Sequence, residues 1–254
     1  MKPDRIVLFP YKMGSEGGKL MAEALGVKRV YADRKFVPTP NDVVINWGSG
    51  FHPAWNWKTP VMLNKAKGVC LAVNKVDTFY AFKEAGVQTP VWTQYREWAL
   101  KWLAKKEMAV ARTTVEGFDG AGIKLCKTPE ELPEAQLYTK YVPITKEFRV
   151  YVFHDTLVDV LDKKRKIIAK ADPFIHTESL GWVFCQDPAW WPKEAEGEAI
   201  KAVKALGLDF GGVDVVWNEE MKKVFVLEVN TAPGVYGRTP EKYAKVMKQY
   251  IENL

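Results

Sequence analysis

Cysteine and histidine are scarce, three of each in 254 residues. Cys70, Cys126 and Cys185 are as widely dispersed as His52, His154 and His176, so neither a zinc-ligand spacing nor a disulfide framework can be assembled from them. Long apolar runs are missing too. None approaches the ~20 residues a membrane-spanning helix needs, and the opening MKPDRIVLF has no secretory-signal pattern. The expectation is a protein of the reducing cytoplasm with no membrane partner. There is no internal repeat, low-complexity segment or disordered tail. Basic residues outnumber acidic ones by 37 to 31, giving a net charge of +6 and a pI near 9.0, yet only KKRK at 163–166 is dense. Charge scattered in this way argues against nucleic acid as a partner and suits an enzyme handling phosphates or acidic substrates.

Two common nucleotide signatures are also missing. RIVLFPYKMGSEGGKL (5–20) runs from a strand-like segment into a glycine cluster and Lys19. A Walker loop needs four residues between its first glycine and the Gly-Lys pair, then Ser or Thr for magnesium. Gly14 and Gly18 enclose three, and Leu20 has no hydroxyl. The GxGxxG fingerprint does not occur either. The stretch therefore reads as a strand-to-helix connection opening an α/β domain, or as an anion contact at a helix start.

What is present is a well-punctuated α/β text. Strand 6–9, helix 18–25 closed by Gly26, short strand 29–31 and VVINWGSG (43–50) alternate as in a small parallel sheet. A helix within 73–90 is capped by Asn74 or Asp77 and stopped by Gly86 and Pro90. Beyond Pro90 strands dominate: MAVART (108–113), IKLC (123–126), LYTKYV (137–142), EFRVYVF (147–153) and TLVDVLDKK (156–164), with helices at 96–106, 195–206 and 241–252. This half reads as α+β, divided from the first somewhere between 70 and 92. The ten tryptophans read mostly as packing residues.

The most informative segment is GGVDVVWNEEMKKVFVLEVNTAPG (211–234), two strands about the turn Asn218–Met221. Alternation puts Val213, Val215 and Trp217 on one face and Phe225, Leu227 and Val229 on the matching face of the second strand, all toward the core. An odd-numbered loop would then gather Asp214, Glu228 and Asn230 on the other side. Three oxygen-bearing groups converging there suit a hard cation such as the magnesium that accompanies ATP. A half-buried hairpin exposing one polar face accounts for them equally well. VEGFDGAG (115–122) reads as a loop folding over phosphates or as an ordinary hairpin loop, and Arg149 as an arginine awaiting an anion or as a solvated one.

Taken in order, VEGFDGAG, EFRVYVF, VLDKK, VDVVW and LEVNTAPG resemble the ATP-grasp superfamily of carboxylate–amine ligases, particularly its glutathione synthetase and ribosomal-protein glutamate ligase branch. The resemblance covers about residues 74–254. It implies an α/β N-terminal domain (1–75) followed by an α+β ATP-grasp fold (76–254), with the glycine-loop lid in 76–138 and the metal site in 139–254. It also implies ATP and one or two Mg2+, for which Mn2+ could substitute. Asp214, Glu228 and Asn230 become metal ligands; Arg149 and Lys163 hold the transferring phosphoryl group. Gly117, Gly120 and Gly122 belong to the phosphate loop, Lys140, Tyr141 and Val142 to the adenine linker, and Glu147 to the ribose. Arg112 stands where relatives carry a phosphate-contacting lysine, a change of geometry at constant charge. The glycine cluster at 14–18 falls to the acceptor-side domain, so Lys19 is not expected to contact ATP. His176 faces the acceptor or is a surface-loop residue.

The implied activity is an ATP-dependent amide or peptide ligation through an acyl-phosphate. The partners are a small-molecule or peptide carboxylate and an amine, and no oligomeric state is assigned. A non-catalytic ATP-binding module and a phosphotransferase on the same fold are the alternatives.

Overall fold

The computed structural model describes residues 3–31, 36–51, 61–116, 120–166, 174, 176 and 179–254. Strands β1 (Ile6–Pro10), β2 (Lys28–Arg29), β3 (Val43–Trp47) and β4 (Val61–Leu63) form a parallel sheet in the order β2-β1-β3-β4. Every residue of β3 is buried, as a parallel strand covered on both faces should be. Helix α1 (Glu16–Leu25) starts where the Ser15 hydroxyl accepts from Gly18 N and stops at Gly26, whose φ of 71° is left-handed. The helix thus begins two residues earlier than the apolar pattern indicates.

Helices α2 (Ala66–Val73) and α3 (Lys75–Glu84) meet at Asn74, whose side chain accepts from Val76 N and Asp77 N. That settles the cap in favour of Asn74. Next come β5 (Trp92–Thr93), α4 (Arg96–Ala104), β6 (Ala109–Arg112), β7 (Ile123–Cys126) and β8 (Leu137–Lys140), an antiparallel sheet in the order β5-β8-β6-β7. Ala99 and Leu103 of α4 close its core against Ala109, Ala111 and Tyr138.

The largest sheet is antiparallel and five-stranded. Its members are β9 (Lys146–Phe153), β10 (Thr156–Arg165), β11 (Trp182–Cys185), β12 (Phe210–Asn218) and β13 (Lys223–Asn230), in the order β11-β10-β9-β12-β13. Helix α5 (Glu194–Ala205) lies between β11 and β12 in sequence, and α6 (Thr239–Glu252) ends the chain. One sheet face buries Phe148, Val150, Val152, Val213 and Val215 against α5, α2 and α3. Full burial of each such side chain stabilises the fold by about 1.5–3 kcal/mol. The other face is apolar over half its length, where Tyr151, Phe153, Leu161 and Phe210 pack with Trp47 of β3, Met21 of α1 and Tyr243 and Met247 of α6. Its remaining half is charged. Among the described residues no helix is long and apolar enough to cross a membrane.

The β12–β13 hairpin departs from simple alternation. Asn218 pairs with Lys223 across four turn residues, an even number, and that register carries on to Val215↔Val226. Continued unbroken, it would set Asp214 opposite Leu227. A bulge intervenes, and Asp214 pairs with Glu228 and Gly212 with Asn230. The extra residue at Leu227 supplies what the turn does not, and the carboxylates reach one face. It also reverses the phase of the strand: Val224 and Val226 join the core with Val229, and Leu227 lines a cavity. The expectation that Phe225 and Leu227 share the core face with Val229 is thereby corrected.

Candidate active site

Period-two alternation on β9, β10, β12 and β13 places Glu147, Arg149, Lys163, Asp214, Glu228 and Asn230 on the charged half of the sheet. Cross-strand register then makes neighbours of Glu147 and Lys163, of Arg149 and Asp214, and of Asp214 and Glu228. Arg149 grips Asp214 with two bonds, Nε to Oδ1 at 2.7 Å and Nη2 to Oδ2 at 2.8 Å. The ring of Phe184 lies 4.2 Å from its guanidinium carbon. Lys163 Nζ donates to Glu147 Oε1 at 2.7 Å, and His176 Nδ1 lies 2.8 Å from Glu147 Oε2. The His176 ring stacks on Trp182 with centroids 3.6 Å apart. From outside the sheet, Lys75 at the start of α3 reaches Glu228, Nζ to Oε2 at 2.7 Å.

Above this charged half lies a cavity of about 750 Å³, closed on its far side by Val110, Arg112, Ile123 and Leu125 of the small sheet and edged by Lys140, Tyr141 and Val142. Apolar walls with a few convergent charges are what a nucleotide-sized site requires. Arg112 Nε is buried and meets no hydrogen-bond partner among the described residues. Burial lowers its pKa against the opposing pull of Glu228. A buried guanidinium nitrogen without a bonded partner is costly, and an anion entering the cavity would relieve that cost.

The carboxylates differ in their electrostatics. Glu228 is pulled below the ordinary glutamate range by Lys75, which outweighs burial, with Arg112 and Arg149 assisting. For Asp214 burial dominates and raises the pKa, although Arg149 and Lys163 oppose it. Arg149 is itself disfavoured by burial, but Asp214 more than compensates and holds it charged.

The donors can be tested against magnesium. Asn230 Nδ2 lies 3.4 Å from Asp214 Oδ2 and 3.2 Å from Glu228 Oε1. Turning the amide over exchanges its nitrogen and oxygen and gathers three oxygens at those separations. Adjacent oxygens around an octahedral magnesium at 2.0–2.1 Å stand about 3 Å apart. The residues fit. Among the described residues no three His, Cys, Asp or Glu side chains cluster to hold a metal, so Asn230 is needed as the third ligand.

All the site residues expected from sequence that fall within the described chain line this one cavity, except that Gly122 lies just beside it. Gly120 and Gly122 both have positive φ, 79° and 73°. A Cβ on Gly122 would stand 2.9 Å from Thr114 N. Gly117 lies outside the described residues. Lys140 Nζ is 2.6 Å from Glu107. Glu147 has both oxygens engaged by Lys163 and His176, and only 5% of its side chain is exposed. His176 is no surface residue; its side chain is 7% exposed and held within the cavity wall. Lys19 is exposed on α1 and lines no part of the cavity. Sequence reasoning missed Lys75. The available signal was a lysine directly after a helix cap, and many surface lysines share it.

No protein-family model matches the sequence, and comparison with curated proteins yields no match. Solved structures do match along the whole chain. The ATP-grasp ligase PsnB, complexed with a phosphomimetic variant of minimal precursor, Mg and ADP, superposes with a TM-score of 0.70 at 12% identity, over 97% of this chain and 98% of its own. D-alanine–D-alanine ligase from Bacillus anthracis gives 0.64 at 16% identity, over 98% and 96%. The macrocyclase MdnC from Microcystis aeruginosa, bound with precursor peptide MdnA, gives 0.64 at 11%, over 96% and 99%. A charged antiparallel sheet and a small sheet facing each other across a cavity, preceded by a parallel sheet, are the ATP-grasp fold, and this chain has it.

Proposed function

We propose that the protein is an ATP- and Mg2+-dependent ligase that joins a carboxylate to an amine. The observation that carries this reading is the cavity's charge arrangement. Asp214, Glu228 and Asn230 converge at magnesium-ligand spacing beneath Arg112, Arg149, Lys163 and Lys75, with apolar walls on either side. Those three would hold magnesium, which would supply positive charge against the phosphates. The four cations are placed to hold a polyphosphate and to stabilise the charge that spreads over a transferring phosphoryl group. A substrate carboxylate oxygen bonds to the γ-phosphorus as the bond to ADP breaks. The amine nitrogen then bonds to the acyl carbon, phosphate leaves with the acyl C–O electron pair, and the amine gives up one proton. No protein nucleophile is called for. The linker Lys140–Val142 would border the base, and Gly120 and Gly122 would let the loop approach the phosphates. The peptides in the PsnB and MdnC complexes support a peptide as one substrate, and D-alanine–D-alanine ligase keeps a free amino acid in view.

The test is ADP release measured with candidate carboxylates, with and without an amine, in wild type and Glu228→Gln. Release that requires both substrates and falls by about 10²-fold or more in the variant supports the reading. Release with a single acceptor and no amide product would make the protein a phosphotransferase. Nucleotide binding without any release would make it a non-catalytic module.

A further inference from the structure

Lys75 stands apart from the other cavity cations. Arg149 and Lys163 rise from the sheet beside their partners, but Lys75 comes from α3 and crosses to Glu228, 153 residues away in sequence. Its side chain is only 10% exposed, and Glu228 Oε2 is 2.7 Å from its ammonium. The other Glu228 oxygen faces Asn230 at 3.2 Å. Lys75 therefore sits on the very carboxylate that completes the oxygen set for a divalent cation. A metal coordinated there and an ammonium on the same carboxylate repel each other at short range in a cavity of low dielectric. Arg112, Arg149 and Lys163 line the same cavity, but Arg149 is tied to Asp214 and Lys163 to Glu147. Among the described residues only Lys75 is bonded to Glu228 in this way.

Resting on the reading of the site given above, we propose that Lys75 competes with the divalent cation for Glu228, and that nucleotide phosphates resolve the competition by offering the ammonium another partner. Metal alone meets the Lys75 ammonium on the neighbouring oxygen of the same carboxylate, with no phosphate to draw it away. Metal arriving with a nucleotide meets a lysine that can turn to the phosphates while Glu228 turns to the metal. Lys75 thereby couples the two ligands, and by linkage each raises the affinity for the other by the same factor. The site discriminates against uncomplexed divalent cations and favours the metal–nucleotide complex.

Mn2+ serves as probe, its free concentration read by electron paramagnetic resonance, with and without ADP, in wild type, Lys75→Met and Lys163→Met. In wild type, Mn2+ should bind weakly alone and much more tightly with ADP. Lys75→Met should bind Mn2+ alone about tenfold tighter than wild type, and the enhancement by ADP should shrink by a similar factor. Lys163→Met removes an equal charge from the Glu147 side, where the ammonium is bonded to Glu147 and not to Glu228, and should tighten Mn2+ binding in the absence of ADP severalfold less than Lys75→Met does. Equal tightening in both variants would reduce the effect to net charge and overturn the competition. So would a Lys75→Met protein, folded by its melting curve, that binds Mn2+ no tighter than wild type. Should Lys75→Met not fold, Lys75→Gln removes the same charge and carries the same expectations. Wild-type protein that binds no Mn2+ even with ADP would sink the ligase reading, and this inference with it. Wild-type binding with an unmoved Lys75 variant sinks the inference alone.

Discussion

Two arginine–aspartate pairs in this chain have the same side-on, two-bond geometry and opposite consequences. In the N-terminal sheet Arg5 donates to Asp42 through Nε at 3.0 Å and Nη2 at 2.6 Å. In the charged half of the five-stranded sheet Arg149 does the same to Asp214. Arg5 is 46% exposed along its side chain and Arg149 only 11%, while both carboxylates are covered, Asp42 at 0% and Asp214 at 7%. Burial pushes Asp42 up, but bonds from Arg5 and Thr39 overcome it and leave its pKa lowered. At Asp214 burial wins over Arg149, and the pKa is raised. The first pair fastens the start of β1 to the turn before β3, with water on the arginine's side only and Thr39 N as a second donor to the covered carboxylate. The second sets its arginine against a carboxylate whose charge burial disfavours, beside Glu228 and Asn230. Geometry alone does not distinguish a structural pair from one in a ligand site; surroundings do.

Removing the arginine should separate the pairs most sharply. Arg149→Met leaves Asp214 buried without its counter-charge, a change that costs about 3–5 kcal/mol. At about 2–4 °C per kcal/mol for a chain of this size, the melting temperature should fall by roughly 10 °C. The double variant Arg149→Met/Asp214→Asn should recover most of that loss while still failing to bind nucleotide with metal. If the single variant melts like wild type, Asp214 is better solvated than its surroundings indicate, and the contrast with Asp42 collapses.

The two regions also differ in how far they could be read from sequence. Strands β1 and β3 announce themselves through apolar runs, whereas the three-residue β4 was not legible, and α1 needed only Ser15 to fix its start. On the charged sheet, alternation alone singles out Asp214, Glu228 and Asn230, because a two-residue period survives any choice of partner strand. Their register was not legible. It depends on a bulge at Leu227, which arises from how two strands fit each other and leaves no composition mark in either. Lys75 was hidden for another reason, since its role exists only through a contact spanning most of the chain. His176 was half legible: a histidine after a basic strand end is visible, but the Trp182 stack and the Glu147 bond that bury it are tertiary facts.

A smaller effect probes how tightly the second pair is built in. Gly212 lies on β12 beneath the Arg149 side chain. A Cβ there would stand 2.7 Å from Pro233 Cβ and 3.3 Å from Arg149 Cδ. Gly212→Ala should destabilise by about 1–3 kcal/mol, as overpacking does. It should also weaken metal–nucleotide binding, because displacing Arg149 disturbs its grip on Asp214. Calorimetric titration with ADP and Mn2+ beside a melting curve reads both. A variant that loses stability but binds as wild type would show that Arg149 can shift without disturbing the carboxylate.

The smallest effect belongs to Arg5. Because this arginine is half in water and the covered Asp42 keeps its bond from Thr39 N, Arg5→Met should cost only about 1 kcal/mol, the low end for removing one partner of a buried acceptor, despite a bond geometry matching that of Arg149. Its pH dependence has a definite sign. Asp42 is a carboxyl with a lowered pKa in the folded protein, so its contribution is fully present above the unfolded value of about 3.9 and is lost as pH falls through the folded value. The melting difference between wild type and Arg5→Met should therefore stay constant from about pH 7 to pH 5 and close only below about pH 4. A difference that opens on acidification, or one as large as that of Arg149→Met, would mean Asp42 depends on Arg5 as fully as Asp214 does on Arg149. Exposure of the arginine, with the second donor from Thr39, would then fail as the property that sets the two pairs apart.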